Sequence, residues 1–186
     1  MKLLKIIIRK IYNKYLSLTV NRNYNSKITY LRKEGAQIGE GTRLICDVSS
    51  FGSEPYLIKV GNDCLLADGI HLITHDGGVK VLSDMNYFNG ERMDIIAPIN
   101  IGNNVYIGTG ACIMPGVTIG NNVIIGAAAV VTKNIPDNSV AVGVPAKVIK
   151  SIDQYYEQAK LKGKLYPTAK MNRKEKKEYF KDKKLV

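Results

Sequence analysis

The sequence is poor in the residues on which several protein classes depend. It has no tryptophan, three cysteines and two histidines among 186 residues. The cysteines are odd in number and lack metal-ligand spacing, which argues against a disulfide framework or a cysteine zinc site and favours a reduced intracellular chain. No apolar run is long enough to span a membrane, and basic residues interrupt any secretory signal in the first twenty positions. These absences predict a cytoplasmic protein.

Acidic residues are missing from one end of the chain. Residues 1–33 carry nine Lys and Arg and no Asp or Glu, and residues 150–186 carry twelve basic against five acidic side chains. Residues 34–149 carry six basic against eleven acidic side chains, so the basicity behind the net charge of +11 lies at the two ends. Nucleic-acid readers usually carry their basic face on the folded body. The sequence therefore predicts no nucleic-acid partner.

What the sequence does contain is a repeat of six residues. Neither a helix nor an alternating strand has that period, whereas a short strand followed by a tight turn does. Three such units make a coil of 18 residues, and Ile-Gly-Asn-Asn-Val at 101–105 returns one coil later at 119–123. We therefore expect Asn103 to stack on Asn121 at a turn, in coils about 4.8 Å apart. The aliphatic residues that mark the period are Ile101, Ile107, Ile113, Ile119, Ile125 and Val131.

The repeat is interrupted twice. It begins at Ile38, but Leu44 and Val60 are sixteen residues apart, and Leu72 and Ile101 are twenty-nine apart, neither a multiple of six. Insertions into a stacked repeat leave the scaffold at defined places and often carry function. We expect the chemistry at these two interruptions.

Three stretches carry a resemblance to a known family. They are "VGNDCLLADGIHLITHDGG" at 60–78, "APINIGNNVYIGTGACIMPGVTIGNNVIIGAAAVVTKNIP" at 97–136 and "VAVGVPAKVIK" at 140–150. The sequence resembles the hexapeptide-repeat acetyltransferases, in particular the branch that contains galactoside and maltose O-acetyltransferases and capsular or exopolysaccharide O-acetyltransferases. The resemblance implies an all-β fold, a left-handed parallel β-helix, and a homotrimer with active sites between subunits.

Applied to this chain, the resemblance predicts a β-helix acyltransferase domain over 35–150 with a loop inserted at 76–98. An amphipathic helical segment at 1–34 precedes this domain, and a basic helical tail at 151–186 follows it. The implied function is that of an acetyl-CoA-dependent O-acetyltransferase acting on a sugar hydroxyl of a surface polysaccharide or its precursor. Two alternatives stay open: an N-acetyltransferase of a nucleotide-linked amino sugar, and a non-catalytic β-helix scaffold or membrane-docking protein.

By this resemblance His75 is the catalytic base. Imidazole titrates near neutral pH and can take the proton of a sugar hydroxyl, while acetyl-CoA is already an activated thioester. The ring needs a partner on its other nitrogen, for which we favour Glu54 over Asp76 or a backbone carbonyl. We expect the second histidine, His71, to be a packing or rim residue. Carbonic anhydrases on the same scaffold need three histidines for zinc, so we predict no metal.

The resemblance also implies where acetyl-CoA and the acceptor bind. Glycines one coil apart would let the pantetheine arm approach the backbone, and lysines would meet the phosphates. The expected CoA-binding residues are Gly108, Thr109, Gly126, Ala127, Thr132, Lys133, Lys147 and Lys150. The loop at 77–94 would cover the acceptor site or contact a neighbouring subunit. The expected acceptor-binding residues are Asp76, Tyr87 and Arg92.

The two ends have patterns of their own. Residues 3–18 are amphipathic, which predicts a helix that either covers the open end of the coil or lies on an anionic membrane surface. Its apolar face consists of Leu4, Ile7, Ile8, Ile11, Tyr15 and Leu18. The lysine-rich stretch at 170–184 would be a solvated helix or a second electrostatic contact. Peripheral contact with the inner face of a membrane therefore stays open.

Overall fold

The computed structural model describes residues 8, 11–12, 14–181 and 183. Its internal contacts divide the chain into two compact units, residues 1–152 and residues 153–186. The first unit contains every strand of the described residues, and the second contains helices and the segment that joins them.

Most strands of the first unit are two or three residues long, as a repeat of six residues requires. In the described part of the chain they are β1 (Gln37–Ile38), β2 (Arg43–Leu44), β3 (Ile58–Val60), β4 (Leu65–Leu66), β5 (His71–Leu72), β6 (His75–Asp76), β7 (Ile95–Ile96), β8 (Ile99–Ile101), β9 (Tyr106–Ile107), β10 (Cys112–Ile113), β11 (Thr118–Ile119), β12 (Ile124–Ile125), β13 (Val130–Val131), β14 (Ser139–Val142) and β15 (Lys147–Ser151).

Thirteen of these strands form three stacked sheets, and β6 and β7 form a separate two-stranded pair. Sheet A has the order β1-β3-β8-β11, sheet B the order β2-β4-β9-β12-β14-β15, and sheet C the order β5-β10-β13. Ile119 pairs with Ile101, which lies 18 residues before it. The same step of one coil relates Ile125 to Ile107 and Val131 to Ile113. The predicted period of six, with three units to a coil, is therefore confirmed. Within sheet B, β15 pairs with β14 in the antiparallel sense.

The core is a column of aliphatic side chains inside the coil. In the two-residue strands of the three stacked sheets the second residue points inward and is buried, as in β9 and β11, while the first points outward. Cys64 is also part of this core, as its position in the repeat predicts. The inward side chains of each coil pack against those of the next. Truncating one of them to alanine would therefore open a cavity.

Asparagines hold the coils together at one turn. The side-chain oxygen of Asn121 accepts a hydrogen bond from the backbone N–H of Asn103 at 2.9 Å. Asn103 does the same for Asn62, and Asp137 does the same for Asn121. The neighbouring Asn122 has φ 55°, a left-handed conformation that asparagine tolerates better than most residues. The predicted stacking of Asn103 on Asn121 is confirmed.

Within the segment 1–34 one helix packs on the first coil. This helix, α1 (Tyr24–Lys33), contacts β1 and β2 through a face on which Lys27 and Leu31 are buried. The Lys27 Nζ donates to the backbone carbonyls of Ile45 at 2.9 Å and Cys46 at 2.7 Å, with that of Leu44 at 3.3 Å. The ammonium group thus satisfies carbonyls at the open end of the coil.

The amphipathic helix expected at 3–18 falls partly on residues 1–7, 9, 10 and 13, which lie outside the described residues. The following residues, Leu16–Val20, form a short π-helical turn in which Leu16 and Val20 are buried against the core. The described members of the predicted apolar face are exposed: Ile8, Ile11, Tyr15 and Leu18. The contact with the core is therefore made through other side chains than the predicted face.

Both interruptions of the repeat are visible as excursions from the coil. The first follows β2 and contains the 3₁₀ helices Val48–Phe51 and Pro55–Leu57, the former packed against β5. The second, which we call the arm, runs from residue 73 to residue 98. It leaves and returns through the antiparallel pair β6 and β7 and contains α2 (Val79–Asp84).

The second unit is built around two helices. The helix α3 (Ile152–Leu161) begins at the last residue of the first unit, and α4 (Arg173–Phe180) starts with a capping box formed by Asn172 and Glu175. Tyr166, in the segment between the helices, packs edge-on against Phe180 with ring centroids 5.0 Å apart. No helix in the described part of the chain is both long and apolar enough to cross a bilayer.

Candidate active site

His75 lies where the arm leaves the coil. In β5 Leu72 points into the core, and two residues later the Thr74 side chain is buried as well, so His75 is turned outward. The backbone of the arm closes immediately around it, because the N–H of Ala97 donates to the carbonyl of Thr74 at 2.9 Å. The His75 side chain is 50% exposed. An imidazole is therefore presented to solvent on a backbone fixed by core packing on one side and by β7 on the other.

Glu54 reaches the same place from the first excursion. Its Oε2 lies 3.0 Å from Nδ1 of His75, while its side chain is only 17% exposed. The two residues are 21 positions apart in sequence, and the excursion between β2 and β3 is what brings them together.

Two hydroxyl groups hold the Glu54 carboxylate. Thr74 Oγ1 donates to Oε2 at 2.6 Å, and Ser53 Oγ donates to Oε1 at 2.7 Å. The hydrogen bonds from Thr74 and Ser53, with a further contribution from His75, lower the pKa of Glu54 to about 2. The carboxylate is therefore ionised near neutral pH, and its Oε2 is shared between Thr74 and the imidazole.

This arrangement favours one tautomer of the His75 ring. An ionised carboxylate can accept hydrogen bonds but cannot donate them. Glu54 therefore favours the tautomer in which Nδ1 of His75 carries the proton. The lone pair then lies on Nε2, at the opposite side of the half-exposed ring. A charged Glu54 also stabilises the imidazolium that forms when Nε2 takes a proton. The pair has the base and orienting partner that proton abstraction from a hydroxyl needs.

Asp76, the other carboxylate considered as a partner for the ring, is used locally. Its Oδ1 accepts a hydrogen bond from the backbone N–H of Gly78 at 2.8 Å, at the turn that leads into α2. Its backbone belongs to β6, where it pairs with Ile95. Of the two carboxylates, Glu54 is the one that lies at hydrogen-bonding distance from His75.

The residues expected to bind CoA lie on two different edges of the coil. Residues 108–109 and 126–127 follow strands of sheet B and precede strands of sheet C, on what we call the B–C edge. Thr132 and Lys133 follow β13 of sheet C and precede Ile135, which bridges to Ile119 of sheet A, so they lie on the C–A edge, from which His75 also leaves. Lys147 and Lys150 lie on β15 beside β14. One chain therefore does not bring all of these residues to one place.

The glycines on the B–C edge are required by the stacking itself. A Cβ at Gly108 would lie 2.6 Å from the backbone nitrogen of Ala127, and one at Gly126 would lie 2.7 Å from Cγ1 of Val142. The carbonyl of Thr109 accepts from Ala128 N–H at 2.8 Å, which fixes the spacing between the coils. Only glycine fits at these positions, whether or not a ligand lies along the edge.

Comparisons with known proteins show the family to which the chain belongs. The family "Bacterial transferase hexapeptide (six repeats)" matches residues 98–133. Protein CapG of Staphylococcus aureus is 47% identical over 151 residues, which are 81% of this chain and 84% of that protein. A crystal structure of a maltose O-acetyltransferase from Clostridium difficile 630 superposes with a TM-score of 0.50 at 31% identity, over 80% of this chain and 88% of that one. The chain belongs to the hexapeptide-repeat acetyltransferases.

Two further relatives place this acetyltransferase among enzymes of O-acetylation. Galactoside O-acetyltransferase of Escherichia coli (strain K12) is 36% identical over 125 residues, which are 66% of this chain and 59% of that protein. A galactoside acetyltransferase in complex with coenzyme A has a TM-score of 0.51 at 27% identity, over 79% of this chain and 82% of that one. The family, the resemblance to its galactoside and maltose branch, and the enzyme class that the sequence predicted are confirmed.

The arm of this acetyltransferase is unusually apolar on its surface. Tyr87 and Arg92, the expected acceptor-binding residues, are exposed and make no hydrogen bond with His75 or Glu54. The exposed apolar side chains of the arm are Val81, Leu82, Met85, Tyr87, Met93, Ile95 and Ile96. An arm of this composition is suited to contact another apolar surface rather than water.

Three residues of structural importance were not predicted from the sequence: Thr74, Lys27 and Ser53. The alternation of side chains in an extended segment could have identified Thr74, because it lies two residues after the inward-facing Leu72 and therefore faces inward as well. Lys27 stands four residues before Leu31, on the buried face of α1, but a lysine there reads as a surface charge. Ser53 gave no signal. Among the described residues no three His, Cys, Asp or Glu side chains are grouped as ligands for a metal ion.

Proposed function

We propose that this acetyltransferase transfers an acetyl group from acetyl-CoA to a hydroxyl of a sugar in a surface polysaccharide or its precursor. The names of the similar enzymes, maltose and galactoside O-acetyltransferase, support a sugar hydroxyl as acceptor. The relative in complex with coenzyme A supports acetyl-CoA as the donor. The single observation that carries the proposal within this chain is the pairing of His75 with Glu54, whose lowered pKa keeps it ionised near neutral pH.

The chemistry follows from the two nitrogens of the ring. Nε2 of His75 takes the proton of the sugar hydroxyl as its oxygen attacks the thioester carbonyl. The tetrahedral intermediate then expels the thiolate of CoA, and the imidazolium returns the proton to the sulfur. Glu54 stays a carboxylate throughout and stabilises the imidazolium, so no proton moves to it. General-base catalysis of this kind contributes about 10²- to 10⁴-fold to the rate.

We place the complete site between two copies of the chain. His75, Thr132 and Lys133 lie on the C–A edge, whereas Thr109 and Ala127 lie on the B–C edge. In a homotrimer of coils, which we take to be left-handed as the resemblance implies, the C–A edge of one subunit faces the B–C edge of the next. The apolar arm would then be covered by the neighbouring subunit, with Tyr87 and Arg92 beside the acceptor. Each trimer would contain three sites.

The C–A edge of one subunit and the B–C edge of the next would form a groove for CoA. The phosphates of CoA need cations at one end of this groove. Lys133 is exposed on the C–A edge, and Lys147 is exposed on β15. A lysine provides charge without the two-pronged geometry of arginine, so its contacts with phosphate tolerate small shifts in position. On the B–C edge the exposed residues Thr109 and Ala127 would face the pantetheine arm.

The test is an assay of thiol release from acetyl-CoA over a panel of sugars, oligosaccharides and amino sugars. The expected result is acceptor-dependent release of CoA with formation of an alkali-labile ester on the sugar. Transfer to amino groups alone would contradict O-acetylation and support the amino-sugar alternative. Failure to acetylate any acceptor, with no CoA bound in equilibrium dialysis, would contradict the enzymatic proposal and favour a scaffold.

A further inference from the structure

A segment of the second unit combines lysines with leucines in an unusual way. Residues 160–166 read Lys-Leu-Lys-Gly-Lys-Leu-Tyr, and no Asp or Glu occurs between Glu157 and Glu175. We call residues 160–166 the basic loop. Residues 153–186 as a whole carry eleven basic and five acidic side chains.

The two leucines of the basic loop are not buried in the chain. Leu161 is 84% exposed and Leu165 is 55% exposed. Leucine is among the residues most often buried in folded proteins. Holding two of them in water among three lysines therefore carries a free-energy cost that a contact outside this unit would remove.

The exposure is a property of a defined turn. Gly163 has φ 59° and ends α3, with its N–H donating to the carbonyl of Lys160 at 3.0 Å, while the N–H of Lys164 lies 3.3 Å from the carbonyl of Ala159. This pattern closes the helix in the manner of a Schellman motif. The contact that usually crosses such a motif would join Ala159 and Lys164, so Leu161 and Leu165 lie outside it and are exposed.

The far end of the basic loop is anchored. The Tyr166 ring packs edge-on against Tyr179 and Phe180 of α4, with centroids 6.4 Å and 5.0 Å away. Lys183 lies over the Tyr179 ring at 3.7 Å from its centroid. The rings tie the loop to a second helix that carries Arg173, Lys174, Lys176 and Lys177. The loop and the helix are therefore parts of one basic surface element.

We propose that the basic loop docks this protein on a bilayer surface that contains anionic phospholipid. Leu161 and Leu165 would enter the boundary between headgroups and acyl chains, and Lys160, Lys162 and Lys164 would remain at the level of the phosphates. Each lysine near such a surface strengthens binding several-fold, and the attraction decays within a Debye length.

The leucines distinguish a bilayer from a dissolved polyanion. An acidic polysaccharide or a nucleic acid would be bound through the lysines alone, since it offers no acyl chains for Leu161 and Leu165. A bilayer with anionic lipid binds both residue types, the lysines through its phosphates and the leucines through its acyl chains. Docking would hold the enzyme next to acceptors assembled at a membrane, but the inference does not depend on the proposed acetyl transfer.

Vesicle sedimentation of the full chain tests the proposal. Vesicles contain phosphatidylcholine either alone or mixed with an equal part of phosphatidylglycerol. We expect binding to the mixed vesicles only, with a loss of at least about tenfold in the triple variant Lys160→Gln, Lys162→Gln, Lys164→Gln. A matched triple variant in the first unit, Lys33→Gln, Arg43→Gln, Lys59→Gln, makes the same change in net charge and should lose less than about threefold.

The double variant Leu161→Ser, Leu165→Ser, which leaves the charge unchanged, should also bind the mixed vesicles severalfold less tightly. Its acetyl transfer to a dissolved acceptor should equal that of the parent protein, which separates this inference from the proposed function. The proposal is overturned if anionic lipid gives no gain over phosphatidylcholine, or if the two triple variants lose equally. It is also overturned if the leucine variant binds vesicles like the parent, because the loop would then be a site for polyanions in general.

Discussion

At the scale of single residues, the proposed proton transfer depends on three side chains that form a chain of hydrogen bonds. His75 offers Nε2, Glu54 holds Nδ1, and Thr74 holds Glu54. Thr74 needs no contact with either substrate for this, since its hydroxyl acts only on the carboxylate. It is a positioning residue, and its loss should therefore change the rate of the chemical step more than the binding of acetyl-CoA.

Replacing Thr74 tests this division directly. Thr74→Val keeps the shape of the side chain but removes the 2.6 Å hydrogen bond to Glu54. We expect kcat to fall about ten- to a hundredfold, the kinetic equivalent of a charge-assisted hydrogen bond, with the KM for acetyl-CoA unchanged. Thr74→Ser, which restores the hydroxyl, should recover most of the rate. Steady-state kinetics would contradict the role if valine and serine behaved alike.

The ionisation of Glu54 predicts how stability changes in acid. The folded state holds its pKa at about 2, below the ordinary value for a glutamate. The stabilisation is complete above the ordinary pKa and is lost as the pH falls toward 2. The free energy of unfolding should therefore drop less between pH 5 and pH 3 in Glu54→Gln than in the parent protein, as urea titrations would measure. Glu91→Gln, an exposed change on the arm, serves as the control, and an equal drop in all three proteins would contradict the prediction.

The sequence could predict His75 and favour Glu54, but it could not predict what holds them. His75 stands in a motif, and Glu54 stands in an interruption of the repeat. Thr74 is a short polar side chain between β5 and β6, and its importance depends on a carboxylate twenty residues away in sequence. A contact of that kind arises only when the excursion has folded back, which no local pattern reports.

At the scale of elements, the stability of the coil depends on how the backbone carbonyls at its open end are satisfied. Lys27 satisfies carbonyls there and also lies 3.7 Å from Asp47. Lys27→Met keeps the aliphatic stem but leaves those carbonyls without a donor, and we expect a loss of about 3 kcal/mol in the free energy of unfolding. Lys33→Met, on the same helix but exposed, should change it by less than about 0.5 kcal/mol. Chemical denaturation measures both, and similar values for the two variants would contradict the capping role.

The asparagine ladder makes a second prediction for the coil. Asn121 accepts from the backbone of Asn103 and donates to Asp137, so one side chain joins three coils. Asn121→Ala should cost about 1–2 kcal/mol of unfolding free energy. Asn100→Ala is the control, because the Asn100 side chain makes no hydrogen bond in the described part of the chain. A thermal denaturation series would contradict the ladder if both variants melted together.

The elements differ in how well the sequence predicts them. Period six dictates strand positions and register, because inward aliphatics must stack at a fixed spacing, and this was confirmed from β8 to β13. The role of α1 was not visible, since it rests on a lysine that is buried only because a coil end offers it carbonyls. Excursions have no period at all, so their internal helices could not be placed.

At the scale of the whole molecule, the proposed site needs two copies of the chain. Mass measurement in solution should give three times the chain mass of 20.6 kDa. Subunit mixing should then restore activity to two inactive variants. His75→Ala damages the C–A edge, and Ala127→Trp fills the exposed groove on the B–C edge. Mixed trimers contain some sites in which both edges are intact, so mixing after reversible dissociation should raise activity well above either parent. A monomer, or no gain on mixing, would contradict the shared site.

The most direct test of the central claim compares the two histidines. His71, on the outer face of β5, and His75 lie four residues apart, and both are exposed, so they form a matched pair. With acetyl-CoA and the best acceptor of the panel, His75→Ala should lower kcat about 10²- to 10⁴-fold. His71→Ala should stay within about threefold of the parent enzyme. Equal turnover by the His75→Ala variant and the parent would contradict the assignment of His75 as the base.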